Sequence, residues 1–275
     1  MSRLAGKAAL VTGAGRGVGR AIARKLAAEG ARVLANDLDE APARETVEPI
    51  LAAGGEAAVL AGDVAAPDFG ERAVATVLER FGRLDIVVNN AGYIWNTTIQ
   101  KTLDEQWYAM LDVHATAPFR ILRAAAPYLR EASARERAEG RVVHRKVVNV
   151  SSISGLYGAA TQIAYSAAKS AQVGITRTLA KEWGRYAVNV NCVAFGYIET
   201  RLTQPLGQGE ARIEVGERSL KVGLDPGWIE RMRELIPLGR PGTPEEAAGA
   251  VYLLCIPESD YVSGQVLVAG GGLLL

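Results

Sequence analysis

Residues 12–19 read Thr-Gly-Ala-Gly-Arg-Gly-Val-Gly, between a short apolar run (residues 8–12) and a helical pattern (residues 18–29). Glycines let a chain turn sharply at the end of a strand and lie close against another group. A helix that begins directly behind them offers unpaired N–H donors and a dipole that favours anions. Strand, glycine turn and helix in this order open dinucleotide-binding α/β units, with a pyrophosphate at the turn. Gly13, Gly15, Arg16, Gly17, Val18 and Gly19 are therefore candidate cofactor contacts.

The same rhythm continues along the chain. Val18, Ile22 and Leu26 recur at four-residue steps, and Gly30 closes that helix. Strands are predicted over residues 31–36, 57–61, 86–89, 147–150, 188–193 and 266–268, and helices over 41–53, 67–81, 164–186 and 244–254. The long helical pattern at 103–129 contains Pro118 and Pro127 and is expected to bend or split. Such alternation gives a parallel sheet covered by helices on both faces. Two stretches stand apart. Residues 131–146 (EASARERAEGRVVHRK) are charge-rich and read as a solvated helical extension. Residues 206–237 are irregular, with a hairpin expected at 213–222 around Gly216-Glu217.

Composition narrows the field. The 275 residues suit one large α/β domain or two small ones. A balance of 31 Lys+Arg against 30 Asp+Glu argues against a nucleic-acid partner. Cys192 and Cys255 lie in apolar runs and read as buried free thiols of a reducing compartment, not as a disulfide framework or metal site. The opening MSRLAGKAALVTG has no apolar leader, and no apolar run approaches the roughly 18 residues of a membrane span. The expectation is a cytoplasmic protein with no membrane partner and no metal.

Asp37 stands 18 residues past Gly19, at the end of the second strand. An acid there accepts hydrogen bonds from the adenosine ribose. Leu38 beside it offers no cation for a 2′-phosphate, so NAD is the expected cofactor. Arg16 is the opposing signal and keeps NADP open. Asp63-Val64 follows the third strand and Asn89-Asn90-Ala91-Gly92 the fourth, both at carboxyl strand ends, where ligands bind in open sheets. Each also reads as a turn former.

Tyr165 and Lys169 share one helix face, and Ser152 follows the fifth strand. A phenol with the usual pKa of about 10 is a poor proton carrier at neutral pH. A neighbouring cation such as Lys169 favours the phenolate. The Ser152 hydroxyl can hold a substrate oxygen. The three suit hydride transfer between a nicotinamide and a carbinol carbon, with Tyr165 moving the hydroxyl proton.

Taken together, these residues resemble the short-chain dehydrogenase/reductase family. The matching segments are TGAGRGVG, Asp37, the GDV of residues 62–64, NNAG, NVSS, YSAAK at residues 165–169, LGRPGTPEE at 238–246 and SGQVLV at 263–268. The resemblance spans residues 4–272. It implies a single Rossmann domain with a doubly wound, seven-stranded parallel sheet, commonly assembled as a homotetramer, a dimer being the alternative. It implies that Ser152, Tyr165 and Lys169 are catalytic, that Lys169 also holds the nicotinamide ribose, that Thr200 bonds the carboxamide, and that Ile198 packs near that ring. Two departures stand out. His114 follows Val113 where the family has Asn, and joins the catalytic candidates as a water-relay residue, with a plain packed histidine as the alternative. Phe195-Gly196 replaces the usual Pro-Gly; Phe195 is expected against the nicotinamide or in the pocket wall, and Gly196 counts among the cofactor contacts.

Substrate specificity is expected from residues 93–98, 153–161 and a lid at 198–237. Tyr93, Trp95, Ser154, Tyr157 and Leu202 are the candidate contacts for a hydrophobic small-molecule alcohol or ketone. The leading reading is an NAD-dependent oxidoreductase acting on a secondary alcohol or its ketone. A 3-oxoacyl-thioester reductase and a non-catalytic dinucleotide-binding sensor are the alternatives.

Overall fold

The apolar run Ala8–Val11 forms strand β1, and helix α1 (Gly17–Ala28) leaves the glycine turn at once. The computed structural model describes residues 2–204, 212–215, 218–221 and 223–273. The alternation continues through β2 (Arg32–Asp37), α2 (Glu40–Ala52), β3 (Ala57–Ala61), α3 (Phe69–Phe81), β4 (Ile86–Asn89), α4 (Asp104–Leu111), α5 (Ala117–Ala138) and β5 (Arg145–Ser152). It goes on through α6 (Ile153–Tyr157), α7 (Ile163–Trp183), β6 (Val188–Phe195), β7 (Arg212–Val215), β8 (Arg218–Lys221), α8 (Pro226–Leu235), α9 (Pro244–Leu253) and β9 (Val266–Ala269).

Seven strands pair in parallel in the order β3-β2-β1-β4-β5-β6-β9. This is the single Rossmann domain with a seven-stranded sheet that the resemblance implied. The inner strands β1, β4 and β6 are buried on both faces, whereas the edge strands β3 and β9 are partly exposed. Leu10 and Leu34 face Phe69, Met110, Ile121 and Ala168 on one side, whereas Val33 and Val88 face Ile22, Leu26, Val47 and Val251 on the other. The order reverses at β1, which pairs with both β2 and β4. A crevice therefore opens beyond the carboxyl ends of β1 and β4, where open sheets bind ligands.

Three segments differ from the sequence reading. The long helical pattern splits at residues Asp112–Thr116, a wider π turn that holds Val113 and His114, and not at its prolines. Pro118 sits in the first turn of α5, directly behind the π turn, and Pro127 is carried inside α5.

The charge-rich stretch is not solvated throughout. Arg145 and Lys146 open β5 and are only 2% and 4% exposed. Arg145 holds both Glu136 oxygens at 2.7 and 2.8 Å, donates through Nε to the Leu84 carbonyl, and lies over the Tyr128 ring. Lys146 pairs with Asp260 at 2.7 Å. These charges turn inward because opposite charges await them.

In the irregular stretch, β7 and β8 pair antiparallel as expected, and their Gly216-Glu217 turn lies outside the described residues. Helix α8 follows, unanticipated. Asp225 caps it by accepting the Trp228 N–H at 3.0 Å, and Pro226 takes its first position. Ile229, Met232 and Ile236 pack with Ile153, Tyr197 and Leu273 over the carboxyl end of the sheet. Of the apolar tail, Leu273 is buried, and Leu274 and Leu275 lie outside the described residues. Both cysteines are free and buried. No helix among the described residues is long and apolar enough to cross a membrane.

Candidate active site

The glycine turn is built by close approach. Gly13 has φ +62°, and a Cβ on Gly19 would overlap the Gly13 carbonyl oxygen. Arg16, at the start of α1, offers no capping side chain, and Gly17, Val18 and Gly19 border a cavity of roughly 1000 Å³. First-turn N–H groups left without a cap fit the pyrophosphate of a dinucleotide. Thr12 Oγ1 accepts from the Asn90 and Ala91 N–H groups, both at 3.0 Å. Asn90 Nδ2 donates to the Thr12 and Gly13 carbonyls at 2.9 and 3.2 Å. The NNAG turn is thus stitched to the glycine turn, and Asn90, Ala91 and Gly92 border the cavity beside it.

Asp37 ends β2 with its carboxylate oriented. Oδ2 accepts from the Gly15 N–H at 2.8 Å and Oδ1 from the Asp39 N–H at 3.4 Å. Asp37 and Leu38 both border the cavity. Gly15 does not; a Cβ there would meet Asp37 and Pro42 at 2.6–2.7 Å, so its smallness lets α2 approach the turn. Asp63 and Val64 also border the cavity, and Asp63 Oδ1 accepts from the Ala65 N–H at 2.8 Å, the turn-forming half of its expected role.

At the other end of the cavity stand Ser152, Tyr165 and Lys169. Ser152 Oγ accepts from the Ser154 N–H at 3.1 Å and stands near enough to the Tyr165 hydroxyl to favour its ionised form. Lys169 Nζ donates to the Val150 carbonyl at 2.8 Å and lies 5.7 Å from the centre of the Tyr165 ring. Burial pushes the Tyr165 phenol up to about 12, with the Ser152 hydroxyl pulling the other way. Burial also pushes the Lys169 ammonium down to about 8. The cation stands beside the phenol as the spacing predicts, but burial governs the phenol's pKa and only the Ser152 hydroxyl opposes it, so the protein's own groups keep Tyr165 protonated at neutral pH.

His114 joins the same site from the π turn and is 1% exposed. Its Nε2 donates to the Tyr93 carbonyl at 2.8 Å, which fixes the tautomer and leaves Nδ1 a buried acceptor with no partner among the described residues. Burial first, and the Lys169 charge second, hold its pKa well below the usual imidazole range, so the ring is neutral. It meets Tyr165 edge-on at 5.2 Å, and a Cβ on Gly92 would overlap it. The His114 carbonyl is taken by Gln172 Nε2.

On the substrate side, Tyr93, Ser154 and Leu202 border the cavity. Trp95 and Tyr157 are not brought to it: Trp95 packs against the core, and Tyr157 is half exposed on α6. The aromatic part of the wall is Trp228, from the lid segment expected to line the pocket, edge to face with Tyr197 at 5.7 Å, and Met232 adds to it. Tyr197 stands directly before Ile198 and could have been found by its neighbour. Met232 comes from α8, which the sequence reading left irregular. Phe195, Gly196, Ile198 and Thr200 line the cavity. A Cβ on Gly196 would sit 2.7 Å from Gly270 Cα, so this turn also depends on a bare backbone.

The sequence matches the family model for short chain dehydrogenases over residues 7–211. It is 34% identical to the 3-oxoacyl-[acyl-carrier-protein] reductase of Synechocystis sp. over 100% of both chains. It is 37% identical to the short-chain reductase protein NovJ of Streptomyces niveus, over 96% of this chain and 92% of that protein. A crystal structure assigned to a short-chain alcohol dehydrogenase of Sinorhizobium meliloti 1021 aligns with a TM-score of 0.85 at 31% identity, covering 98% of this chain and 97% of that one. Another, assigned to an NAD(P)-dependent gluconate 5-dehydrogenase of Beutenbergia cavernae and holding NADP at low occupancy, aligns at 0.82 and 31% identity with the same coverage. Family model, full-length relatives and sheet order agree: the chain belongs to the short-chain dehydrogenase/reductase family, oxidoreductases that work with a nicotinamide dinucleotide.

Proposed function

We propose that the protein transfers a hydride between NAD(H) and a secondary alcohol or its ketone, with Ser152, Tyr165 and Lys169 as its catalytic group. One observation carries this reading: the three side chains lie at one end of the cavity whose other end is the glycine turn and Asp37. The dinucleotide supplies the hydride acceptor or donor. Ser152 Oγ orients the substrate oxygen. The Tyr165 hydroxyl gives a proton to that oxygen or takes one from it. Lys169 holds the nicotinamide ribose, and its charge favours the phenolate. His114 Nδ1 accepts a hydrogen bond from a water that relays protons to Lys169. Alcohol oxidation needs Tyr165 without its proton, and burial raises that pKa, so oxidation speeds up as pH rises through the alkaline range. Ketone reduction uses the protonated phenol and falls over the same range.

The deciding experiment offers NAD with secondary alcohols at alkaline pH, and NADH with ketones near neutrality. Protein that binds NADH and turns over none of a broad panel overturns the catalytic reading in favour of a sensor. A 3-oxoacyl thioester belongs on the panel, because a full-length relative at 34% identity bears that reductase's name.

Preference for NAD over NADP rests on the oriented Asp37 carboxylate and on Leu38 beside it. Asp37→Ala lowers the ratio of kcat/KM for NAD to that for NADP by roughly tenfold or more, the value of a lost charge-assisted hydrogen bond. An unchanged ratio would remove Asp37 from the ribose site. Residues 198–237 act as the substrate lid in this reading. Assembly as a homotetramer, or a dimer, is supported by the exposed apolar residues Ile99, Leu103, Tyr108 and Phe119 on and beside α4 and α5. Two free, buried thiols fit a cytoplasmic setting.

A further inference from the structure

The segment after β6 carries a cation that the chemistry above does not use. Its backbone is fixed by its own hydrogen bonds. Thr200 Oγ1 accepts from the Leu202 N–H at 3.2 Å, Thr203 Oγ1 accepts from the Thr200 N–H at 2.8 Å, and the same hydroxyl donates to the Ile198 carbonyl at 2.8 Å. The Thr200 methyl lies 3.6 Å from where a Cβ on Gly17 would stand. Arg201 therefore leaves the chain directly beside the glycine turn.

Arg201 borders the same cavity as Arg16, Asp37 and Asp39, and it lies within electrostatic reach of all three. Neither carboxylate bonds it. Asp37 is engaged by the Gly15 and Asp39 N–H groups, and Asp39 lies 3.5 Å from Arg16. Two guanidinium groups thus border the cavity close to one another, one from the glycine turn and one from the segment after β6 that lies against that turn. Guanidinium groups at a cavity wall select planar or tetrahedral oxyanions. At this end of a nicotinamide dinucleotide the only such groups are phosphates.

We infer that Arg201 is a phosphate-binding residue of the cofactor site and forms, with Arg16, a cationic clamp on the dinucleotide. The inference rests on the dinucleotide reading of the glycine turn. The phosphate has two sources: the pyrophosphate common to both nicotinamide cofactors, and the 2′-phosphate of NADP alone.

Fluorescence titration of NADH and NADPH into the full-length protein, at several salt concentrations, tests the clamp. Arg201→Gln raises Kd for at least one of them by roughly tenfold and flattens its dependence on salt, because a charge contact is lost. Arg201→Lys keeps most of the affinity and of the salt slope. Equal losses for NADH and NADPH assign Arg201 to the pyrophosphate, and a loss confined to NADPH assigns it to the 2′-phosphate. Unchanged Kd values in Arg201→Gln overturn the inference. So does a raised Kd with the wild-type salt slope, the mark of a displaced segment. Wild-type protein that binds neither nucleotide overturns the dinucleotide reading itself, and the clamp with it.

Discussion

Tyr165→Phe lowers kcat at least about 100-fold on any substrate the protein turns over, while the Kd for NADH changes by no more than about twofold. The substitution removes one oxygen and keeps the ring. The buried packing on α7 and the edge contact with His114 at 5.2 Å survive it. What disappears is the hydroxyl beside Ser152, whose pKa burial pushes up to about 12. Neither neighbour can replace it: Lys169 is turned to the Val150 carbonyl, and His114 is neutral with Nε2 committed to Tyr93. Steady-state kinetics in both directions, with NADH titration as the control, give the answer. A kcat within tenfold of wild type would take Tyr165 off the proton path.

The second large effect lies far from the chemistry. Arg145→Met destabilises the protein by about 3–5 kcal/mol, because it strands a partly buried carboxylate and leaves the Leu84 carbonyl short of a donor. Burial pushes the Glu136 carboxyl up, and the hydrogen bond and charge of Arg145 more than reverse this, leaving it below the usual carboxylate range. The sign follows: a depressed carboxyl contributes stability above its unfolded pKa and loses it as pH falls through the folded value. Adding Glu136→Leu to Arg145→Met recovers part of the loss, since the double variant buries no lone charge. Urea or thermal unfolding measures both. A single-variant effect below about 1 kcal/mol, the level of an exposed pair, would mean that water reaches this pair freely.

The residues that could be read from sequence are those whose role is set by short-range backbone context. The glycine turn, Asp37 at a strand end, and Tyr165 with Lys169 one helical turn apart carry their geometry with them. The aromatic wall does not. Trp95 and Trp228 look alike in a loop-rich sequence, and only the packing of α8 on Tyr197 decides which one meets the cavity. The signal for α8 was present in Asp225-Pro226 and in Ile229, Met232 and Ile236 behind it, but irregular surroundings hid it. Arg145 and Lys146 misled because charge reads as solvent exposure. Their counter-ions Glu136 and Asp260 are recognisable only once the chain has folded. The split at His114 has no propensity signal, because a π turn uses the same residue types as the helix it interrupts.

The stitch between Thr12 and Asn90 bears on how such a site can be altered. Six hydrogen-bonding groups from two distant segments share four bonds at the switch point of the sheet, so the cofactor turn and the NNAG loop form one mechanical unit. Replacing residues 13–19 with those of another dehydrogenase to change cofactor choice leaves this anchor in place, because Thr12 and Asn90 lie outside the exchanged segment and the turn contributes only the backbone carbonyl of residue 13. Carrying the turn in the other direction, into a chain that lacks Thr and Asn at these two positions, requires the residues at positions 12 and 90 to travel with the glycines.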